Sequence, residues 1–94
     1  MYSLTSDGKG TIRMSGMIDS SHADAVREFF KSVDSGCTID CAGLEFISSA
    51  GLGILMATYK RLSSKGETIK LINVQDTVKK IFLLARFDRL FSIE

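Results

Sequence analysis

The sequence predicts an α/β fold in which helices pack against one mixed β-sheet of about five strands. The first observation is an initial pair of alternating segments joined by a glycine-containing turn. The second is that β-type segments then alternate with segments whose apolar residues recur at helical spacing. The predicted order is β-β-α-β-α-β-α-β. A chain of 94 residues suits one core, so we expect residues 1–94 to form a single domain.

The first fourteen residues predict a β-hairpin. Tyr2 and Leu4 alternate with polar residues, turn-forming residues occupy positions 6–10, and positions 11–14 alternate again. We expect the first strand to lie at an edge of the sheet and Gly16 to end the second strand.

The next segment predicts a helix followed by a strand. Asp19, or a serine beside it, is suited to cap the helix, and we expect His22 in its first turn to be exposed. The apolar face of this helix comprises Ala25, Val26, Phe29, Phe30 and Val33. Residues 37–41 then alternate like a strand, with Asp40 at its carboxyl end. That position could serve a ligand or could be an ordinary loop-facing carboxylate.

The second half of the chain predicts two more helices and two more strands. A helix from Ala50 to about Ser64 presents one apolar face, formed by Leu52, Leu55, Tyr59 and Leu62. A strand over 67–74 precedes a helix that begins at 75–77, with a buried stripe of Val78, Ile81, Phe82 and Ala85. Arg86 follows that helix, and because a left-handed arginine is strained we expect a different C-terminal cap. Residues 90–93 close the chain as a short strand or packed tail.

The composition argues against several classes of function. Lys and Arg number 12 against 11 Asp and Glu, a net charge of +1 that offers no electrostatic case for nucleic-acid binding. No window approaches the roughly 18 uninterrupted apolar residues of a membrane helix. We therefore expect a cytoplasmic protein without a membrane span.

No metal, cofactor or catalytic site is predicted. Cys37 and Cys41 lie four apart on a predicted strand, about 13 Å between Cα atoms, too far for a disulfide, so both are expected to be buried thiols. Together with His22 they fall short of a four-ligand zinc site. No nucleophile, base and acid series is present, and Gly51-Leu52-Gly53 lacks the lysine of a phosphate-binding loop. We expect the protein not to be an enzyme.

The most informative stretch is 46–53, where two serines and two glycines interrupt an apolar run between a strand and a helix. Serine before a helix can simply cap its first turn. The start of a helix also tolerates a phosphate, because its N–H groups are unpaired and the macrodipole is positive there. Phosphorylation of Ser48 or Ser49 would then change the surface that a partner meets while the fold survives.

The stretch 46–60 resembles the signature of STAS domains, specifically the bacterial anti-sigma-factor antagonists. Their pattern is Phe-Ile-Asp-Ser-Ser/Thr-Gly-Leu-Gly, in which the first serine after the aspartate is phosphorylated, and Ser49 matches that position. The chain departs from the pattern at Ser48, where the family has aspartate, and at Ala50, where it has a second hydroxyl. Residues 15–19, 39–44, 70–74 and 87–91 are similar to other family segments, so the resemblance covers nearly the whole chain.

The resemblance implies a regulatory binding protein. The unphosphorylated chain would bind an anti-sigma factor that is also a serine protein kinase, and a sigma factor would be released. The kinase would use ATP to phosphorylate Ser49 and break the complex, and a metal-dependent serine phosphatase would reset it. The residues expected to contact the partner are Asp19, Ser48, Ala50, Gly51, Leu52 and Gly53.

An alternative function stays open at this stage. The chain could be a STAS-type scaffold or accessory subunit that binds a transporter or a phosphatase regulator without a phosphorylation switch.

The two glycines, each costing about 1 kcal/mol in a helix relative to alanine, could allow a partner to approach Ser49 closely. Gly51 could instead simply relieve crowding at the junction between strand and helix.

Overall fold

The computed structural model describes all 94 residues of the chain. It contains five strands and three helices in the predicted order. The elements are β1 Tyr2–Ser6, β2 Thr11–Ile18, α1 Ala23–Lys31, β3 Cys37–Ile47, α2 Ser49–Ser63, β4 Ile69–Ile72, α3 Asp76–Leu84 and β5 Ser92–Ile93. Single 3-10 turns at Ser20–His22 and Phe87–Arg89 precede α1 and β5. No helix has the length and apolar character that crossing a bilayer requires.

The strands form one sheet in the order β1-β2-β3-β4-β5, so β1 is an edge strand as predicted. β1 pairs with β2 antiparallel and all other neighbours are parallel, which makes the sheet mixed. Every helical crossover joins neighbouring strands in the same direction, so right-handed connections put the helices on one face. Burial agrees with this arrangement, since Ile69 and Leu71 of β4 are buried and Lys70 between them is exposed.

Two strands are longer than the sequence predicts. β2 does not end at Gly16, because this residue takes a left-handed φ of 81° and the strand continues across a register shift to Ile18. β3 does not end at Cys41, and Leu44 and Ile47 extend its buried face. The prediction that Asp40 stands at the carboxyl end of the strand is therefore wrong, since Asp40 lies in the first half of β3.

The helices close one hydrophobic core of 18 buried apolar residues. On α1, Val26 and Phe30 are buried, whereas Ala25, predicted to face the core, is exposed. The buried residues of α2 are Gly51, Ile54, Leu55, Thr58 and Leu62. Leu55 and Leu62 of the predicted face are therefore buried, whereas Leu52 and Tyr59 are half-buried. Thr58, which was not predicted to face the core, is accommodated there by donating its hydroxyl to the carbonyl of Ile54 at 2.8 Å.

The end of α3 differs from its prediction. Arg86 itself takes the left-handed conformation, with φ at 63°, so the expectation of another cap is wrong. The packing of the aromatic residues after Arg86 offsets the backbone strain at this residue. Phe87 is buried and stacks on Phe82 with 5.4 Å between ring centroids, and Phe91 packs against Phe87 at 4.7 Å. This aromatic packing requires the chain to turn sharply at Arg86.

Candidate functional site

The serine turn lies where β2 and β3 end side by side. Ile18 and Ile47 are paired in the parallel register, and the backbone N–H of Ser48 donates to the carbonyl of Ile18 at 2.8 Å. Asp19 follows Ile18 just as Ser48 follows Ile47. The structure therefore brings Asp19 and the serines to one corner of the sheet, although they are distant in sequence.

The two serines of the turn have different environments. Ser48 is the N-cap of α2: its backbone is extended, and its hydroxyl accepts a hydrogen bond from the N–H of Gly51 at 3.3 Å. Its carbonyl accepts the N–H of Leu52 at 2.9 Å. Ser49 is the first helical residue and is exposed. Because Ser48 supplies the cap, capping does not account for the hydroxyl of Ser49.

The two glycines of α2 also differ. Gly51 is buried, and a Cβ at this position would lie 2.7 Å from Cγ1 of Ile47 and 3.4 Å from Cγ2 of Ile18. Packing at the junction between strand and helix therefore explains Gly51, while its partner contact stays a prediction. Gly53 is exposed, and a Cβ there would meet no atom within 4 Å. The packing of the fold gives no reason for a glycine at position 53.

Asp19 and His22 form a small polar cluster beside the turn. The carboxylate of Asp19 accepts the N–H of Ser21 at 2.9 Å, and the Ser21 hydroxyl followed by this N–H lowers the pKa of Asp19. Asp19 thus caps the 3-10 turn that precedes α1. His22 is half-buried, contrary to its predicted exposure, because its ring packs on Tyr2 with 4.3 Å between centroids.

An exposed apolar pair, which the sequence interpretation missed, leads into the serines. Met17 and Phe46 are partners in the β2–β3 register and are 50% and 37% exposed. Partners in parallel strands point to the same side, so these two side chains form one apolar patch immediately before the turn. The pattern that could have revealed it is the apolar residue next to each buried strand end, at Met17 before Ile18 and at Phe46 before Ile47.

The contacts of the Asp40 side chain lie away from the serine turn. Its carboxylate accepts the side-chain amide of Asn73 at 3.1 Å and the N–H of Ala42 at 3.0 Å, with Arg13 at 3.8 Å. The Asn73 bond, then the Ala42 bond and the charge of Arg13 hold the pKa of Asp40 below its usual value. Its partners lie on β2, β3 and the end of β4, so the network joins three strands.

Of the predicted site residues, Asp19, Ser49 and Gly53 are exposed, while Ser48, Ala50 and Leu52 are half-buried. Leu52 packs against the core with part of its surface. Asp19, Ser49 and Gly53 lie at or beside the first turn of α2, whereas Met17 and Phe46 point to the opposite face of the sheet from Ile18 and Ile47, against which α2 packs.

Solved structures of other proteins share this fold. An anti-sigma factor antagonist from Mycobacterium paratuberculosis is 24% identical, with a TM-score of 0.80 over 99% of this chain and 83% of that chain. SpoIIAA, an anti-sigma factor antagonist, is 17% identical in its unphosphorylated form, with a TM-score of 0.78 over 100% of this chain and 88% of that chain. Bacillus SpoIIAA in its phosphorylated form is 16% identical, with a TM-score of 0.71 over 100% of this chain and 91% of that chain.

A family model described as "Mlab, STAS domain" matches residues 3–92, nearly the whole chain. The resemblance to STAS domains is thereby confirmed, and the chain belongs to the STAS domain family.

Proposed function

We propose that this protein is an anti-sigma-factor antagonist, a regulatory binding protein and not an enzyme, that is switched off by phosphorylation of Ser49. One observation carries the proposal: Ser48 caps α2, which leaves Ser49 exposed on the first turn with no role in capping. A phosphate at that position would lie near the unpaired N–H groups and positive dipole of the helix start, so the fold would tolerate it.

The surroundings of Ser49 support its role as a switch. The exposed patch of Met17 and Phe46 is apolar, and Phe46 lies two residues before Ser48 on the strand that leads into the turn. A partner that covers this patch would bring Ser49 into a close-packed interface. A phosphate carries a charge of roughly −1.5 to −2, and burying it without a cation is costly. Phosphorylation would therefore weaken the complex without unfolding the protein.

The proposed partners are an anti-sigma factor that is also a serine protein kinase and a metal-dependent serine phosphatase. The kinase would bind the unphosphorylated chain and release a sigma factor, and the phosphatase would restore binding. The fold is shared with SpoIIAA, of which both a phosphorylated and an unphosphorylated form are known. The proposed contact surface is formed by Asp19, Ser48, Ala50, Gly51, Leu52 and Gly53, with Gly51 contributing through the packing of its turn.

The experiment is a pull-down from host lysate with wild-type, Ser49→Ala and Ser49→Asp baits, read by mass spectrometry. A control bait, Thr77→Asp, adds a negative charge to the exposed first turn of α3. We expect an ATP-binding kinase-like protein on every bait except Ser49→Asp. Recovery of the same proteins on all four baits would instead establish a scaffold or accessory subunit without a phosphorylation switch.

A further inference from the structure

The groove between α1 and α2 lies on the helical side of the molecule and shares Ala50 and Gly53 with the proposed contact surface. The groove has a volume of about 270 Å³. Its buried lining residues are Phe30, Ile54 and Thr58. The small residues on its α2 side include Ala50 and Ala57. Because Ala50 directly follows Ser49, the groove begins at the proposed switch.

Gly53 keeps this groove open. It lines the groove between Ala50 and Ala57, and its missing side chain leaves open space. Glycine costs about 1 kcal/mol relative to alanine inside a helix, and nothing in the protein itself requires it here. Residues without bulky side chains at 50, 53 and 57 let another backbone approach α2 closely.

The charges of the groove indicate what would bind there. Its lining contains three cations, Arg27, Lys31 and Arg61, and no carboxylate. Arg61 is held in place by donating to the carbonyls of Val33 at 2.6 Å and Phe30 at 2.8 Å, and it forms no ion pair.

The other two cations of the groove are only weakly neutralised. Arg27 and Lys31 pair with Asp24 and Glu28 on the same helix. Both ion pairs are exposed, and exposed ion pairs contribute little to stability because solvent and salt screen them. Arg27 and Lys31 therefore remain available to a negatively charged partner.

We propose that the groove between α1 and α2 binds an acidic amphipathic helix of the protein partner, with small apolar residues against Gly53 and carboxylates toward Arg27, Lys31 and Arg61. From Ala50 to Arg61 the α2 wall spans about 16 Å, the length of three helical turns. Complementary charge would speed association and fix the orientation of the bound helix. This inference rests on the proposed function, because a phosphate on Ser49 would place negative charge at the end of the groove and repel the acidic helix.

The test uses two synthetic 14-residue helical peptides with an alanine-rich face, one flanked by three glutamates and one by three lysines. Binding to the ¹⁵N-labelled protein is followed by NMR. We expect the glutamate peptide to shift amide signals of α1 and α2 around Gly53, with weaker binding at higher salt. No shift, shifts elsewhere, or equal binding of the lysine peptide would overturn the proposal.

Matched variants locate the effect. We expect Arg27→Glu combined with Lys31→Glu to weaken glutamate-peptide binding at least tenfold, and Gly53→Met to weaken it by filling the groove. Lys79→Glu combined with Lys80→Glu makes the same charge change on the exposed face of α3 and should leave binding unchanged. Equal loss in both double variants would show a nonspecific charge effect and contradict the proposal.

The peptide experiment is independent of the Ser49 pull-down. Groove binding without a Ser49-dependent partner would refute the switch while leaving the groove as a docking site. A Ser49-dependent partner without groove binding would refute the groove and leave the proposed function in place.

Discussion

At the scale of single residues, the central feature is that Ser48 caps α2 and Ser49 does not. Local sequence rules allow either serine to cap the helix, since both precede an apolar periodic segment. The structure separates them because Ser48 is held by its N–H bond to Ile18, which fixes its extended backbone at the cap position. The sequence does not reveal this contact, because the carbonyl of Ile18 belongs to the neighbouring strand β2.

We expect Ser48→Ala to lower the free energy of unfolding by about 1 kcal/mol, because the N–H of Gly51 loses its acceptor. Ser49→Ala should change it by less than about 0.5 kcal/mol, since the residue is exposed and does not cap the helix. Urea unfolding of both variants checks this. A larger loss in Ser49→Ala would mean that Ser49 is a structural residue.

The glycines provide a second matched pair. We expect Gly53→Ala to raise the free energy of unfolding by about 0.5–1 kcal/mol, because alanine favours helix and its Cβ meets no atom within 4 Å. Gly51→Ala should lower it by about 1 kcal/mol or more through overpacking, since its Cβ would lie 2.7 Å from Cγ1 of Ile47. Thermal unfolding distinguishes the two, and stabilisation by both substitutions would contradict the packing described for Gly51.

At the scale of elements, the sequence predicts the number, type and order of strands and helices, but not the ends of β2 and β3. Gly16 has the appearance of a strand terminator, whereas in the structure it absorbs a register shift against β3. Gly43 lies in β3 beyond the predicted strand at 37–41, and a Cβ there would come 2.8 Å from Cβ of Ser15. Both glycines are explained by the adjacent strand, which periodicity along one chain does not describe.

The C-terminal end of α3 supports a prediction about strain. Arginine in the left-handed conformation costs about 1–2 kcal/mol, and glycine gains unfolded-state entropy that offsets part of this. We expect Arg86→Gly to raise the free energy of unfolding by about 0.5–1 kcal/mol. Arg89→Gly, in the 3-10 turn at a residue without a positive φ, should not stabilise the protein. Urea unfolding measures both, and stabilisation by Arg89→Gly alone would contradict the explanation.

At the scale of the whole molecule, a single core on one face of the sheet should make unfolding cooperative. Cys41 reports on this, because burial followed by the charge of Asp40 raises its pKa to about 12. In a Cys37→Ser variant we expect a thiol reagent to modify Cys41 only as the protein unfolds in urea. Labelling that precedes the loss of circular dichroism would show that the core opens locally.

The composition and periodicity of the chain were enough to predict one α/β domain, and the motif at 46–60 together with similar segments along nearly the whole chain was enough to identify its family. They did not predict the patch of Met17 and Phe46 or the basic groove beside α2. Each of these surfaces is built from two elements that are separated in sequence. Their detection required the register of β2 with β3 and the packing of α1 on α2.

The most direct test of the Ser49 switch compares unmodified protein with semisynthetic protein that carries phosphoserine at position 49. Calorimetry would measure the affinity of each form for the partner recovered in the pull-down. We predict tight binding by the unmodified form and at least about 100-fold weaker binding by the phosphorylated form, with the same unfolding temperature within a few degrees. Equal affinities would show that Ser49 is not the switch, and unfolding of the phosphorylated form would show that the phosphate acts on the fold.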